Sequence, residues 1–550
     1  MELSRRDLLK LGVLGTAALY LPVERLAQAG DQESLATLPA PFTRPFAKPP
    51  EIDLRATATR PAQNGVALTM RQIRVPVLGP AGAWPQTDLW VYTGPNGEIN
   101  PTIHVDRGQP VEIAHLNGLP ATHPQHGYTS WTSVHLHGSA SLPQYDGYAS
   151  DVIKPGQRKV YKYPNQQGAR TLWYHDHGVH RTAKNAYSGL AAQYHLHDDM
   201  EMQSGIPTGG EFDLPLTIKD ALFRKDGGLL WDDNSESSLM GDVVLVNGVP
   251  WPVLEVKRRR YRFRVLNAAI SRSFKLSLSD PRARMWVVAT DGGFMPKPVE
   301  ISSLRIGMAE RYELVVDFTN VPAGTEVVLR SGSLPNNVEF AHTDKVMKFK
   351  VTAAPFGETT TDRHGRAWPN NVPLEQVSFY TPRTPRAGAS YIGPDEVMGL
   401  APGMAVKRRT LEFVRTNGMW TVNGKTWDDV VASGYQLVVA DPAANSIEIW
   451  DFVNKSGGWF HPIHVHLVDF RILSRNGRPP LPYENGPKDV AYVGENETVR
   501  VIAKFGPHEG RYMIHCHNLV HEDHDMMQQF RVGPARNPDP NDPIHAAPAS

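Results

Sequence analysis

His515-Cys516-His517-Asn518-Leu519-Val520-His521-Glu522-Asp523-His524-Asp525-Met526 is the stretch on which the reading of this 550-residue chain turns. It holds the only cysteine in the sequence, so that thiol has no intramolecular disulfide partner. One thiolate, imidazoles and a thioether form the ligand set of a type 1 (blue) copper site: two His, one Cys and a weak axial Met. The flanking histidines add something a simple blue copper site does not need. Neighbouring side chains on a β-strand point to opposite faces, so Cys516 faces one way and His515 and His517 the other. Such a segment can join two metal sites, with the cysteine as the covalent bridge.

Ligands for a second site are present in three further clusters: His135-Leu136-His137, His175-Asp176-His177 and His461-Pro462-Ile463-His464-Val465-His466. In each His-x-His pair both imidazoles share one strand face, about 6–7 Å apart at Cα, which suits neighbouring ions in a cluster. His461 lies three residues from His464, so it has the opposite parity and faces away from His464 and His466. A structural zinc site needs about four ligands, whereas twelve candidates fall into register here.

Composition points to an all-β chain. Glycine and proline number 46 each, and short alternating apolar runs are separated by turn residues. The length suggests about three domains. A weak threefold repeat runs through the body: Val111–Asn117, Tyr261–Asn267 and Ile447–Asn454 are each alternating strands that end in asparagine. Two His-x-His pairs follow the first copy and two follow the third, but none follows the middle copy. Three related β-sandwiches, of which the middle one carries no copper, account for this pattern. Acidic and basic residues balance at 57 each, which gives no electrostatic bias toward nucleic acid or an anionic membrane.

The chain resembles the multicopper oxidases, and within them the bilirubin oxidase and bacterial laccase branch. The matching stretches are Ser133–Gly138, Ala169–His177, His461–Phe470 and His515–Met527. The resemblance implies three cupredoxin-like (Greek-key β-sandwich) domains, at residues 40–200, 201–375 and 376–536. The first and third would meet face to face around a trinuclear cluster. It implies four copper ions per chain. Type 1 copper would take His461, Cys516, His521 and axial Met526, the family spacing from His521 selecting Met526 over Met527. Type 2 would take His135 and His464. One type 3 copper would take His137, His175 and His517, the other His177, His466 and His515. Electrons from a reductant would enter at the type 1 site, pass through Cys516 and its histidine neighbours, and reduce dioxygen to water. Asp146 and Glu522 stand where this branch has proton-relay carboxylates. Trp420 matches a segment that carries a tryptophan beside the type 1 site, and is read as substrate-binding. His195-Leu196-His197 fits no family position and is read as the end of a strand. Copper-free relatives have lost ligands that this chain keeps.

The expected reducing substrates are phenols, aromatic amines or bilirubin-like tetrapyrroles. A generic laccase or aminophenol oxidase, or a cuprous-ion oxidase in copper detoxification, is the alternative. The last of these is disfavoured because no long methionine-rich insert lies in the last third. Ser4-Arg5-Arg6-Asp7-Leu8-Leu9-Lys10, the apolar run to Pro22 and the small-residue site Ala27-Gln28-Ala29 read as a twin-arginine signal over 1–29. Export to the periplasm or outside the cell is therefore expected, with no membrane anchor once the leader is removed. Linkers are expected near Asp198–Gly210 and over 354–402, and residues 537–550 read as a disordered tail. The expected partners are dioxygen and a small aromatic reductant, with no nucleic acid and a monomeric chain.

Overall fold

The computed structural model describes residues 32–57, 59–353 and 372–544, with the backbone of Thr360–Thr361 and Ala367–Trp368. The leader read at 1–29 lies outside the described residues. Strands dominate, and the longest α-helix among the described residues is Thr182–Ser188. No described helix is long and apolar enough to cross a membrane.

Six main sheets form three sandwiches. In the first, a sheet of Glu51–Asp53, Thr102–Asp106, Ala191–His197, Arg170–Asp176 and Val134–His137, in that spatial order, packs on a four-stranded sheet. The second pairs a seven-stranded with a five-stranded sheet over residues 213–351. In the third, a five-stranded sheet packs on one ordered Val490–Val493, His461–Val465, Gly510–Cys516 and Met527–Val532. Three cupredoxin-like domains thus follow one another along the chain.

The repeated asparagine has a structural reason. Strands Val111–Asn117, Arg260–Asn267 and Ile447–Asn454 each pair in parallel with an earlier strand of their own domain. At the end of each, the buried amide donates to two backbone carbonyls. Asn117 donates to Ser130 and Ile153, Asn267 to Arg272 and Ile306, and Asn454 to Trp459 and Gly494. Each side-chain oxygen also accepts the backbone N–H two residues on. A buried carbonyl left without a donor costs about 1–3 kcal/mol, so one side chain ties two crossing loops in every domain. Valine or leucine there would serve the strand but not the loops.

The connections are more structured than their composition suggests. In the Asp198–Gly210 stretch, Asp198 caps the short helix Asp199–Gln203 by accepting from Glu201 N–H. Glu201 is fully buried and binds both Arg262 and Arg264 at 2.6 Å. Within 372–402, helix Pro394–Val397 seats Val397 and Leu400 in a buried cluster with Ile449 and Ile502. The tail differs from expectation over 537–544. Asp542 binds Arg511 at 2.6 Å, and Ile544 packs near Trp427 and Met513. An ion pair and one apolar anchor hold a segment whose composition alone reads as unstructured.

Candidate metal centre

Strand parity sorts the histidines and the cysteine as the spacing predicts. Residue 516 pairs with Ile463 across the sheet, and both belong to the apolar core of the third domain. The neighbouring pair, His464 and His515, points to the other face, toward the first domain. All twelve expected ligands are at most 1% exposed.

On the apolar side, Cys516 Sγ lies 3.4 Å from His461 Nδ1 and 3.7 Å from His521 Nδ1, and those two nitrogens are 3.2 Å apart. The outer nitrogens assign the tautomers. His521 Nε2–H donates to the Ser237 carbonyl at 2.8 Å, which leaves the lone pair of Nδ1 facing the sulfur. His461 Nε2 is 2.7 Å from Ser456 Oγ. Met526 is buried in the same apolar cluster as Cys516, while Met527 packs on the opposite side with Met513 and Trp427. Burial holds His461 down to about 3 and pushes the Cys516 thiol well up. Neutral imidazoles beside a thiol that water does not reach are donors suited to a soft or borderline cation, which deprotonates a coordinating thiol outright.

On the other face, eight imidazoles from the first and third domains converge. His135 Nε2 is 3.3 Å from His464 Nε2. His515 Nε2 is 3.1 Å from His177 Nε2 and 3.2 Å from His466 Nε2. His137, His175 and His517 have ring centroids 5.1–5.8 Å apart. Nitrogens without a hydrogen-bond partner remain on all three: His137 Nδ1, His175 Nε2 and both nitrogens of His517. Buried orphan nitrogens are costly unless they bind something. Besides His177 Nδ1, which faces Glu522, those of the cluster fall on the three rings expected to share one ion.

The opposite ring nitrogens are held from outside, as ligating imidazoles require. His135 Nδ1–H donates to the Asp146 carbonyl at 2.5 Å and His464 Nδ1–H to the Asp489 carbonyl at 2.9 Å. His466 Nδ1–H donates to Asp146 Oδ2 at 2.7 Å, and His137 Nε2–H to Asp489 Oδ1 at 3.1 Å. His175 Nδ1–H donates to the Asp176 carbonyl at 2.8 Å. Glu522 reaches His515 Nδ1 at 3.0 Å and His177 Nδ1 at 3.6 Å. Burial raises the Asp146 carboxyl well above its ordinary range. Burial also acts to raise Glu522, but His515 and His177 outweigh it and bring it to about 2.

Trp420 stands beside the site, but not as a surface for substrate. Its ring stacks on His521, with centroids 3.7 Å apart, and is fully buried. Its indole N–H donates to the Glu236 carbonyl of the middle domain at 2.8 Å. The Arg415 guanidinium lies 4.8 Å over the ring and is itself held by Ser235 and Ser237, so the substrate-binding reading of Trp420 gives way to that of a wall behind the imidazole. Trp459, half-buried and 5.4 Å from His521, is the aromatic nearer solvent. It was legible two residues before His461. Asp489 was not, because nothing in its neighbourhood marks it. Arg311 of the middle domain grips it at 2.6 and 2.7 Å, so the domain without His-x-His pairs still braces the cluster.

Comparison with known proteins agrees with this geometry. Three models described as multicopper oxidase match residues 85–201, 212–341 and 401–536. A bilirubin oxidase of Albifimbria verrucaria is 38% identical over 532 residues, covering 92% of this chain and 83% of that protein. A laccase of Bacillus subtilis is 33% identical over 508 residues, covering 82% and 91%. The McoA multicopper oxidase from Aquifex aeolicus superposes with a TM-score of 0.73 at 25% identity, over 89% of this chain and 99% of that one. The His/Cys clusters match the type 1, type 2 and type 3 copper arrangement of such proteins.

Proposed function

This chain belongs to the multicopper oxidase family, and we propose that it takes its electrons from phenols, aromatic amines or bilirubin-like linear tetrapyrroles. Its general chemistry is oxidation of an electron donor coupled to reduction of dioxygen. The observation that carries the narrower reading is the 38% identity with a bilirubin oxidase across 92% of the chain. A laccase or aminophenol oxidase is the second reading, supported by the 33–34% identity with bacterial laccases.

His461, Cys516, His521 and Met526 would hold type 1 copper, and His135, His137, His175, His177, His464, His466, His515 and His517 the other three ions. Bound there, copper supplies one-electron acceptance at the cysteine site and reduction of dioxygen to water at the histidine cluster. The protein does the rest. Cys516 joins the two sites through one peptide bond to each of His515 and His517. Ser456 and Trp459 form the half-buried edge nearest His461 and His521, where a flat aromatic donor can come close. The buried histidine cluster keeps that donor's radical away from reduced oxygen. Asp146, which accepts from His466 Nδ1–H, and Glu522, whose oxygens lie 3.0 and 3.6 Å from Nδ1 of His515 and His177, are the groups that would move protons inward.

A steady-state comparison of bilirubin, a dimethoxyphenol, an aminophenol and cuprous ion tests the substrate class. Bilirubin is expected to give the highest kcat/KM and cuprous ion the lowest. A preference for cuprous ion would sink the proposal.

The axial position has its own test. Met526→Leu removes a weak donor, stabilises the cupric form less, and is expected to raise the type 1 potential. Met527→Leu, on the far side of the strand, is expected to leave it unchanged. Redox titration of the blue band reads both. Control by Met527 alone would mean the register is wrong by one residue.

A further inference from the structure

His195 and His197, which fit no copper position, do end a strand, Ala191–His197. They are not isolated, however. The parallel neighbour Thr102–Asp106 sets His104 directly beside His195. His104, His195 and His197 each offer one ring nitrogen, and these nitrogens all lie within 4.8 Å of one another. His104 Nδ1 is 2.9 Å from His197 Nε2. The spacing resembles the 3.1–3.3 Å nitrogen contacts of the copper cluster. The group is on the opposite face of the sheet from the apolar core residues Tyr194 and Leu196, against the middle domain.

The hydrogen bonds around it assign which nitrogens carry lone pairs. Gln193 donates its amide N–H to the Arg264 carbonyl at 3.1 Å, so its Oε1 is free only to accept. His195 Nε2–H donates to that oxygen at 2.8 Å, which leaves Nδ1 unprotonated. Glu201, ion-paired with Arg262 and Arg264, accepts from His197 Nδ1–H at 2.6 Å, which leaves Nε2 unprotonated. His104 is then caught between two acceptors. With its proton on Nδ1, Nε2 turns a lone pair toward Glu51 Oε1 at 3.6 Å and has no hydrogen-bond partner. With its proton on Nε2, two lone pairs face each other across 2.9 Å.

We propose that these three histidines form a fifth metal site, for a borderline divalent ion of the zinc(II) or copper(II) class. A cation between the rings turns the opposed lone pairs into ligands. It also leaves every outer N–H on an acceptor, Glu51 for His104, Gln193 for His195 and Glu201 for His197, which is the surround that ligating imidazoles take. Three imidazoles suit zinc and copper alike, and solvent completes the coordination. The cations nearby are each paired with carboxylates. Arg55 is bound bidentately to Asp53, and Arg262 and Arg264 are spent on Glu201, Asp213 and Glu313. His104, one strand in from the Glu51–Asp53 edge, is the least buried of the three at 9% exposed. The ion would staple two parallel strands of the first domain, and through Glu201 tie them to the middle domain.

Zinc is the probe. Copper-loaded enzyme, cleared of loosely held ions with a weak chelator, is dialysed against zinc sulfate and analysed by elemental mass spectrometry. One zinc per chain is expected beyond the four coppers, with nitrogen ligands at about 2.0–2.1 Å by X-ray absorption and a higher Tm in zinc. His195→Ala and His104→Gln are expected to keep four coppers and the blue band, which report an intact fold, and to lose both the zinc and its effect on Tm. His104→Gln changes the least buried of the three and keeps the test decisive if His195→Ala folds poorly. No zinc uptake by parent enzyme that holds four coppers and no fifth, as when a proton alone satisfies His104, overturns the proposal. So does zinc retained in a folded His104→Gln protein.

Discussion

Cys516→Ser protein is expected to fold, to lose all blue colour and to retain paramagnetic type 2 copper. The sulfur is buried at 3.4 and 3.7 Å from two imidazole nitrogens, in a core of Ile463, Val465 and Met526. Serine is smaller and its hydroxyl does not ionise near neutral pH, so the soft anionic donor disappears while the packing changes little. The absorption that a copper–thiolate bond gives has no other source in the chain, which has one cysteine. The histidine cluster lies on the opposite face, with its outer nitrogens still held by Asp146, Asp489 and Glu522. Its copper therefore remains. Turnover with any organic reductant falls below detection, a larger loss than the ~10²–10⁴-fold a positioned proton donor contributes. Electron paramagnetic resonance, copper analysis and the visible spectrum check the three parts separately. A blue Cys516→Ser protein would refute the site.

The extent to which this was legible in the sequence follows from how local each signal is. Parity along a strand is local, and so His461 against His464, and Cys516 against His515, could be sorted without a structure. The repeated terminal asparagine also marked three related sandwiches before its purpose was known. What could not be read were contacts between elements remote in sequence. Asp489 holds His137 across 352 positions, and no pattern near either residue announces it. Trp420 illustrates the reverse limit. Its place beside the type 1 site was implied by the resemblance, but its indole N–H is bonded to Glu236 of another domain, 184 positions away. His195 and His197 were visible as a pair, but the third imidazole arrives on a parallel strand, a pairing that composition does not reveal.

The middle domain makes the same point in energetic terms. It offers no copper ligand, yet Ser237 sets the tautomer of His521, and Arg311 anchors the carboxylate that orients His137. Arg311 and Asp489 are both buried and bidentate. Removing one partner of such a pair leaves the other charge uncompensated, at a typical cost of about 3–5 kcal/mol. The domain is thus retained for positioning, and its substitutions would be felt at metal sites it does not ligate.

Glu522→Gln is the sharpest test of how protons reach dioxygen. Reduction of dioxygen to two waters consumes four protons with four electrons, and the buried cluster has few groups that can carry them. Glu522 is 2% exposed and bridges the outer nitrogens of His515 and His177. Glutamine keeps the size and can still accept one hydrogen bond, but its amide cannot exchange a proton at neutral pH. Full copper content and the blue band are therefore expected. Anaerobic reductant should bleach that band at nearly the parent rate, because bleaching fills only the type 1 site. Reoxidation by dioxygen should slow by about 10²–10⁴-fold, the range for a carboxylate that moves a proton in catalysis, and turnover should fall with it. Glu522→Asp, which keeps the carboxylate at a shorter reach, should recover part of the rate, as a purely packing role would not require. Asp146→Asn should slow the same phase, with some disturbance of type 2 copper because the carboxylate lies 3.6 Å from His135 Nδ1 and accepts from His466 Nδ1–H. Parent reoxidation kinetics in a fully coppered Glu522→Gln enzyme would leave Glu522 only the orientation of two imidazoles.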